Sequence, residues 1–316
     1  MAAHEAAMAG VEVRKAIGVS RTLPGSVNAA IVAYYNSDAF RVALKPTTQG
    51  MRRAILERFR VEHGDKRIAF VQTRHLVIIL ATKKPFAARN WLKTLRGLLQ
   101  FAVAAELRPD DPTHGIKLAR VKSDGIHTWT EGQIETFEAK HKPGTRARLA
   151  FALLLYTAQR RGDVIRMGRQ HVREGEIAVR QEKTGSRLLI PIHAELQSAL
   201  DNWPSEHLTF LTTERGEPFT AAGFGNWFRD QCNAAGLPKA CSAHGLRKAA
   251  CRRLAEAGCT AHQIAAISGH VSLLEVQRYT KAADQAQMAR DAMRTMSEQT
   301  RTSIGKPGRR VCQNEG

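Results

Sequence analysis

The sequence predicts a mainly α-helical protein with a small β-sheet, an α+β chain in two domains. Three observations carry this. Apolar residues recur at helical spacing, most clearly at Trp91, Leu92, Leu95, Leu98, Leu99 and Ala102. Two short runs, Glu176–Arg180 and Arg187–Ile192, read instead as strands joined by a hairpin. At 316 residues the chain can bury two cores, and a basic, aperiodic stretch from Ile116 to His127 separates them.

Residues 1–24 are small, polar and weakly patterned, a leader or linker. Ser26 is placed to cap a helix through Ala29, Ile31, Val32 and Tyr35. A second helix is expected from Thr47 or Thr48, with Met51, Ile55, Leu56 and Phe59 as its apolar stripe. A short helix follows over Thr73–Ala81, and a longer one starts near Pro85, tolerated in a first turn. Gly64-Asp65 and Pro109–Pro112 are breakers. The first domain is thus a helical unit over 25–115, followed by a basic linker over 116–125 in which Lys117, Arg120 and Lys122 suit a phosphate backbone.

The second domain is expected over 126–297. Thr130-Glu131 opens its first helix with an acidic turn. Thr145–Ala158 reads as a buried helix, and Gln181–Ser186 as the hairpin loop, with Gly185 at positive φ. Helices then follow from Thr220 or Ala221, over His244–Ala257, and at 261–267, 272–279 and 282–297. The tail over 298–316 is polar and basic and is expected to be disordered.

Lys+Arg 48 against Asp+Glu 29 gives a net charge of +19, a surplus that points to a polyanion, most simply nucleic acid. Aromatics make up only 6%, which disfavours a reader of single strands by base stacking. The five cysteines form no CxxC pair and fit a reducing cytosol. No second ligand pair accompanies Cys241 and His244, so no metal is expected, nor any other cofactor. The run Leu76–Leu80 is too short to span a bilayer, and a cytoplasmic, nucleoid-associated bacterial protein is expected.

Six residues of the second domain form a phosphate-handling set with its own nucleophile: Arg160, Lys183, His244, Arg247, His270 and Tyr279. Arginines hold a phosphodiester in forked hydrogen bonds, and a tyrosine hydroxyl can attack phosphorus. His244 and Arg247 stand at i and i+3 and share a helix face. Arg160 ends an apolar helix, where a guanidinium needs an anionic partner. Tyr279 alone among the four tyrosines follows a histidine word, Ser268-Gly269-His270, and an arginine, Arg278.

This set, in this order, resembles the tyrosine recombinase (phage integrase) family. His244-Gly245-Leu246-Arg247 matches the family's His-x-Leu-Arg word, and His270 to Arg278-Tyr279-Thr280 matches its histidine-to-tyrosine spacing. Asp163 falls three residues after Arg160, at the family's offset, which selects Arg160 over Arg161; it is expected to orient Arg160 or cap the next helix. Two positions depart from the pattern: Ser268 replaces a leucine, and Lys248 stands where another histidine is frequent.

The resemblance implies a core-binding domain and a mixed α/β catalytic domain forming a C-shaped clamp on double-stranded DNA. Arg160 and Arg247 would hold the phosphate, His244 would help deprotonate Tyr279, His270 would donate to the phosphate, and Lys183 would protonate the leaving 5′-oxygen. A 3′-phosphotyrosyl intermediate would conserve the bond energy, so ATP is not needed. A homotetramer on two duplexes is implied, with the 282–297 helix as a subunit contact and DNA-bending or directionality factors as further partners. Residues 1–24 are too short for the separate arm-binding domain that many integrases carry. The expected function is site-specific integration or excision of a phage or mobile element; a dimer resolvase and a catalytically silent DNA-binding protein are the alternatives.

Overall fold

The computed structural model describes residues 22–119, 125–203 and 207–304. Its chain divides into two compact units, 1–123 and 124–316. Arg120 and Lys122, the leader up to residue 21 and the tail from 305 lie outside the described residues.

The first unit is helical: α1 (Val27–Asn36), α2 (Asp38–Arg41), α3 (Pro46–His63), α4 (Thr73–Ala81) and α5 (Pro85–Ala104). The Ser26 hydroxyl accepts from the Ala29 amide and caps α1 as its position predicts. Helix α3 starts earlier than expected, because Pro46 sits in its first turn, where a missing N–H costs nothing. Its stripe is also narrower: Ile55, Leu56 and Phe59 are buried, but Met51 is 37% exposed. Every apolar residue expected from α5 joins the core, beside Ile31, Tyr34, Phe40, Leu56 and Leu76. Buried Arg108 donates to the carbonyls of Ile68 and Asp110, tying the proline-rich stretch after α5 back to the core. Lys117 is exposed.

The second unit begins with α6 (Glu131–Lys140), whose cap Thr130 exchanges hydrogen bonds with Gln133. Fully buried Trp129 donates its indole N–H to the Ser242 carbonyl at 3.0 Å. Helix α7 (Arg146–Thr157) is buried nearly all round. It stops at Ala158, a non-glycine residue at φ +51°, and the short α8 (Arg161–Val164) follows. Strands β1 (Val172–Arg173), β2 (Glu176–Arg180) and β3 (Arg187–Pro191) form an antiparallel sheet in that order, with Ile177 opposite Ile190 and Arg180 opposite Arg187. β1, only two residues long, carries no readable alternation and was not expected from the sequence.

Helices α9 (Ala194–Asp201), α10 (Ala221–Ala234), α11 (Ala243–Glu256) and α12 (Ala261–Ser268) complete the core around α7. The last element, α13 (Leu273–Ile304), corrects the sequence reading. Two helices and a tail from 298 were expected; one helix runs through all of it to residue 304. No glycine or proline interrupts 273–304, so nothing in the chain chemistry stops the helix. On its distal half Met288, Met293 and Met296 are 58–63% exposed.

Candidate active site

The buried Arg247 organises the site. It is 2% exposed and projects from the second turn of α11. One nitrogen, Nη1, donates to the carbonyls of Ala158 (2.5 Å) and Ser268 (2.9 Å). The other, Nη2, lies 3.2 and 3.4 Å from the two ring nitrogens of His270. Whichever ring nitrogen is unprotonated can accept from it, and Nε2 is the nearer. Burial, and then the Arg160 charge, push the Arg247 pKa down to about 10. Arg247 therefore stays charged at neutral pH, in a place that favours an incoming anion.

Arg160 precedes α8 and donates to Gln181 Oε1 at 2.9 Å. The Arg161 guanidinium instead lies against Gly225 of α10. Asp163 fills neither of its expected roles with its side chain: the carboxylate makes no hydrogen bond to Arg160, and the residue lies inside α8, where Arg160 holds the cap position. Its carboxylate is 2% exposed, accepts from the Glu182 amide (2.9 Å) and pairs with Arg166 (2.7 Å), which also reaches Glu182. Asp163 thus anchors the hairpin that carries Lys183.

Gln181 was missed by the sequence reading. Fully buried, it gives its amide to Gln159 Oε1 (2.6 Å) and the Ser268 carbonyl (2.9 Å), and accepts from Arg160 and Thr184. Gln159 in turn donates to the Thr157 and Ile267 carbonyls. The two amides join the turn after α7, the hairpin and the end of α12 in one buried network. A signal existed: Ile177 and Val179 point inward, and the two-residue alternation of β2 carries the inward face on to Gln181.

Gly269 closes α12 at φ +68°, and a Cβ there would stand 2.3 Å from Gln181 Nε2. Gly269→Ala should lose at least about 1–2 kcal/mol from the left-handed backbone alone. Chemical denaturation checks this; an unchanged midpoint would contradict the close approach.

His244 is exposed at the start of α11, and its pKa is lowered, by burial of its ring first and then by Arg247, Lys248, Arg160 and Lys183. It is thus a neutral base at physiological pH. Lys183 is exposed in the hairpin loop, on a side where its charge reaches His244. Lys248, where the family often has histidine, spends its ammonium on the Ile126 carbonyl at 2.6 Å.

His270 is pushed down to about 4 by burial and by Arg247, Arg160 and His244. Its Nδ1 lies 2.7 Å from Ser268 Oγ, and its Nε2 faces Glu275 at 4.0 Å. Tyr279, in the second turn of α13, packs half-buried on the core. Burial raises its pKa to about 12; Cys251 and Glu275 push the same way, while Arg247 and Arg278 oppose. A phenol so placed needs a base. Among the described residues no group of metal-ligating side chains is present, and no helix is long and apolar enough to cross a membrane.

The Phage integrase family model matches residues 129–286, half of the chain. The integrase of Escherichia phage HK022 is 23% identical over 188 residues, 55% of this chain; the match spans about half (52%) of that relative's length. Among solved structures, a lambda integrase fragment, a dimer bound to a COC′ core site, superposes with a TM-score of 0.70 at 21% identity, over 81% of this chain and 95% of that one. A lambda integrase tetramer bound to a Holliday junction gives 0.70 at 20% identity, over 88% and 86%. The Tn1549 transposon integrase with circular intermediate DNA gives 0.66 at 17%, over 84% and 99%. At these identities the likeness establishes the fold.

Proposed function

The chain belongs to the phage integrase family, and from that premise we propose that it is a site-specific DNA recombinase of phage or mobile-element type. It breaks and rejoins strands through a covalent 3′-phosphotyrosyl intermediate. The observation that carries this reading is the pairing of Arg160 and Arg247, held close enough that one depresses the pKa of the other, in one network with His270 and near Tyr279. Two guanidiniums brought together in a half-buried site are relieved by an anion between them.

In the proposed reaction, Arg160 and Arg247 bind the non-bridging oxygens of the scissile phosphate and stabilise the charge of the pentavalent transition state. Tyr279 Oη attacks phosphorus while neutral His244 takes its proton. His270 donates a hydrogen bond to a phosphate oxygen. Lys183 protonates the departing 5′-oxygen, leaving a free 5′-hydroxyl. Attack by a 5′-hydroxyl from a second strand reverses the step, with no net loss of ester bonds and no need for ATP. The lambda structures contain a dimer on a core site and a tetramer on a junction; the same assembly on two duplexes is proposed here, with the exposed methionine side of α13 as a candidate subunit contact.

The test is a nicked suicide duplex from the flanks of the element that encodes the chain, analysed on a denaturing gel. A covalent protein–DNA adduct is expected. Tight DNA binding without adduct on both flanks would favour a silent DNA-binding protein. The net charge of +19 further requires steep salt dependence, with a log–log slope of roughly 0.9 per phosphate contacted. Filter binding between low and moderate salt measures this, and a flat response would contradict a backbone-dominated interface.

A further inference from the structure

Ser268 stands where the family pattern has a leucine, and it is fully buried at the end of α12. Its hydroxyl oxygen is 2.6 Å from the Ile264 carbonyl and 2.7 Å from His270 Nδ1. Two oxygens that close need a hydrogen between them, and a hydroxyl has one to give. The Ser268 hydrogen therefore points at Ile264, and Oγ can only accept from the imidazole. Neutral His270 then carries its proton on Nδ1 and presents a bare lone pair at Nε2. Arg247 agrees with this assignment: its Nη2 is nearer Nε2 (3.2 Å) than Nδ1 (3.4 Å), and with Nδ1 protonated it can donate only to the Nε2 lone pair, which an entering anion would have to claim from it.

A bare lone pair cannot donate to a phosphate oxygen. We propose that Ser268 is a positioning residue that fixes His270 as the Nδ1–H tautomer, so that His270 takes up one proton from solvent when a tetrahedral anion enters beside Arg160 and Arg247. The resulting imidazolium keeps its bond to Ser268 and donates from Nε2 to the anion. The charged and titratable groups facing His270 are Arg247 and His244 from α11, Arg160 from the turn before α8, and Glu275 from α13. Burial and these cations hold the ring neutral, consistent with its depressed pKa of about 4. An anion reverses that field. The tautomer needs no ligand; the proton uptake rests on the phosphate-binding reading above.

The sign of the linkage follows. A group whose pKa rises on binding strengthens binding at low pH, and the gain is lost as pH rises from the free value toward the bound one. Sulfate is a suitable probe because its charge is constant over this range. Site-resolved sulfate affinity should fall by about tenfold per pH unit above pH 5.

The experiment is side-chain nitrogen NMR of the full chain with labelled histidine and arginine, the His270 signals being assigned from the spectrum of His270→Gln. The wild type should show His270 as Nδ1–H, and Ser268→Ala should move it toward Nε2–H and flatten the pH slope to less than about threefold per unit. Ser268→Thr, which keeps a hydroxyl, should restore the wild-type pattern. An Nε2–H tautomer in the wild type, a result that needs no variant, overturns the proposal; so does an Nδ1–H tautomer that survives Ser268→Ala. If sulfate shifts the Arg160 and Arg247 signals while His270 stays neutral, the proton uptake fails and the phosphate site stands. If sulfate moves none of the three, the phosphate site itself is refuted.

Discussion

Tyr279→Phe should bind DNA like the wild type and leave no covalent protein–DNA adduct. The substitution removes one oxygen and keeps the ring that packs on the second unit's core. Folding stability should therefore change by less than about 1 kcal/mol, as for other substitutions that leave packing intact. Cleavage, by contrast, loses its nucleophile, and the rate should fall by at least about a thousandfold, in the range seen when a covalent catalyst is removed. A gel-shift titration and a denaturing gel on the same nicked duplex separate the two quantities. Adduct formation by the variant at the wild-type rate would remove Tyr279 from the mechanism. The high phenol pKa sharpens the expectation: at about 12 the group is almost wholly protonated at neutral pH, so the reaction depends on proton removal as attack occurs.

Arg247→Lys should be nearly as damaging to cleavage, and unlike Tyr279→Phe it should also weaken the fold. Arg247 serves two masters. Nη1 satisfies two buried carbonyls, those of Ala158 and Ser268, while Nη2 lies on the His270 side. A lysine keeps the charge but not the planar fork, and its single ammonium cannot reproduce both sets of bonds. Leaving a buried carbonyl unmet costs about 1–3 kcal/mol. Losing an oriented donor to the transition state costs a rate factor of about 10²–10³. Denaturant midpoints and single-turnover cleavage report these separately. Full activity with unchanged stability would show that the guanidinium geometry is irrelevant. The expected result is instead a loss in both, with DNA affinity falling far less, because a chain of net charge +19 has many other cations to offer a phosphate backbone.

Much of this was readable before the structure, and the reasons differ by element. Helices α4 and α5 carry regular apolar spacing between clear breakers, and their limits follow from that pattern. The hairpin was legible because β2 alternates cleanly, with Ile177 and Val179 inward, and because Gly185 takes the positive φ its turn requires. The continuous α13 was not: two helices were expected over 272–279 and 282–297, although no residue between them enforces a break. The six catalytic candidates came from local words. Five of them converge, joined by hydrogen bonds or by the electrostatic influence each has on another's pKa, and exposed Lys183 lies near His244. The support beneath them was hidden. Gln159 looks like a solvated loop residue in a linear chain, and although the alternation of β2 points Gln181 inward, only the packing of the hairpin against α12 shows what the two amides bind. Asp163 was assigned to Arg160 by its offset, whereas the fold gives it to Arg166 and the Glu182 amide.

The carbonyls that hold Arg247, and the glutamine that holds Arg160, belong to the protein itself. The ordering entropy of both guanidiniums is thus settled during folding, and an arriving phosphate meets donors that need little rearrangement. The ammonium of Lys183 has a different history. Its loop is secured at the base by Asp163, while Lys183 and Glu182 stand exposed on it. In the proposed reaction the two phosphate-binding arginines are thus oriented by the protein's own buried hydrogen bonds, whereas the general acid Lys183 is carried on an exposed hairpin loop. On the proposed reading, holding the phosphate and releasing the 5′-oxygen then rest on separate pieces of the scaffold, so that a change in the hairpin can alter strand breakage without altering anion binding.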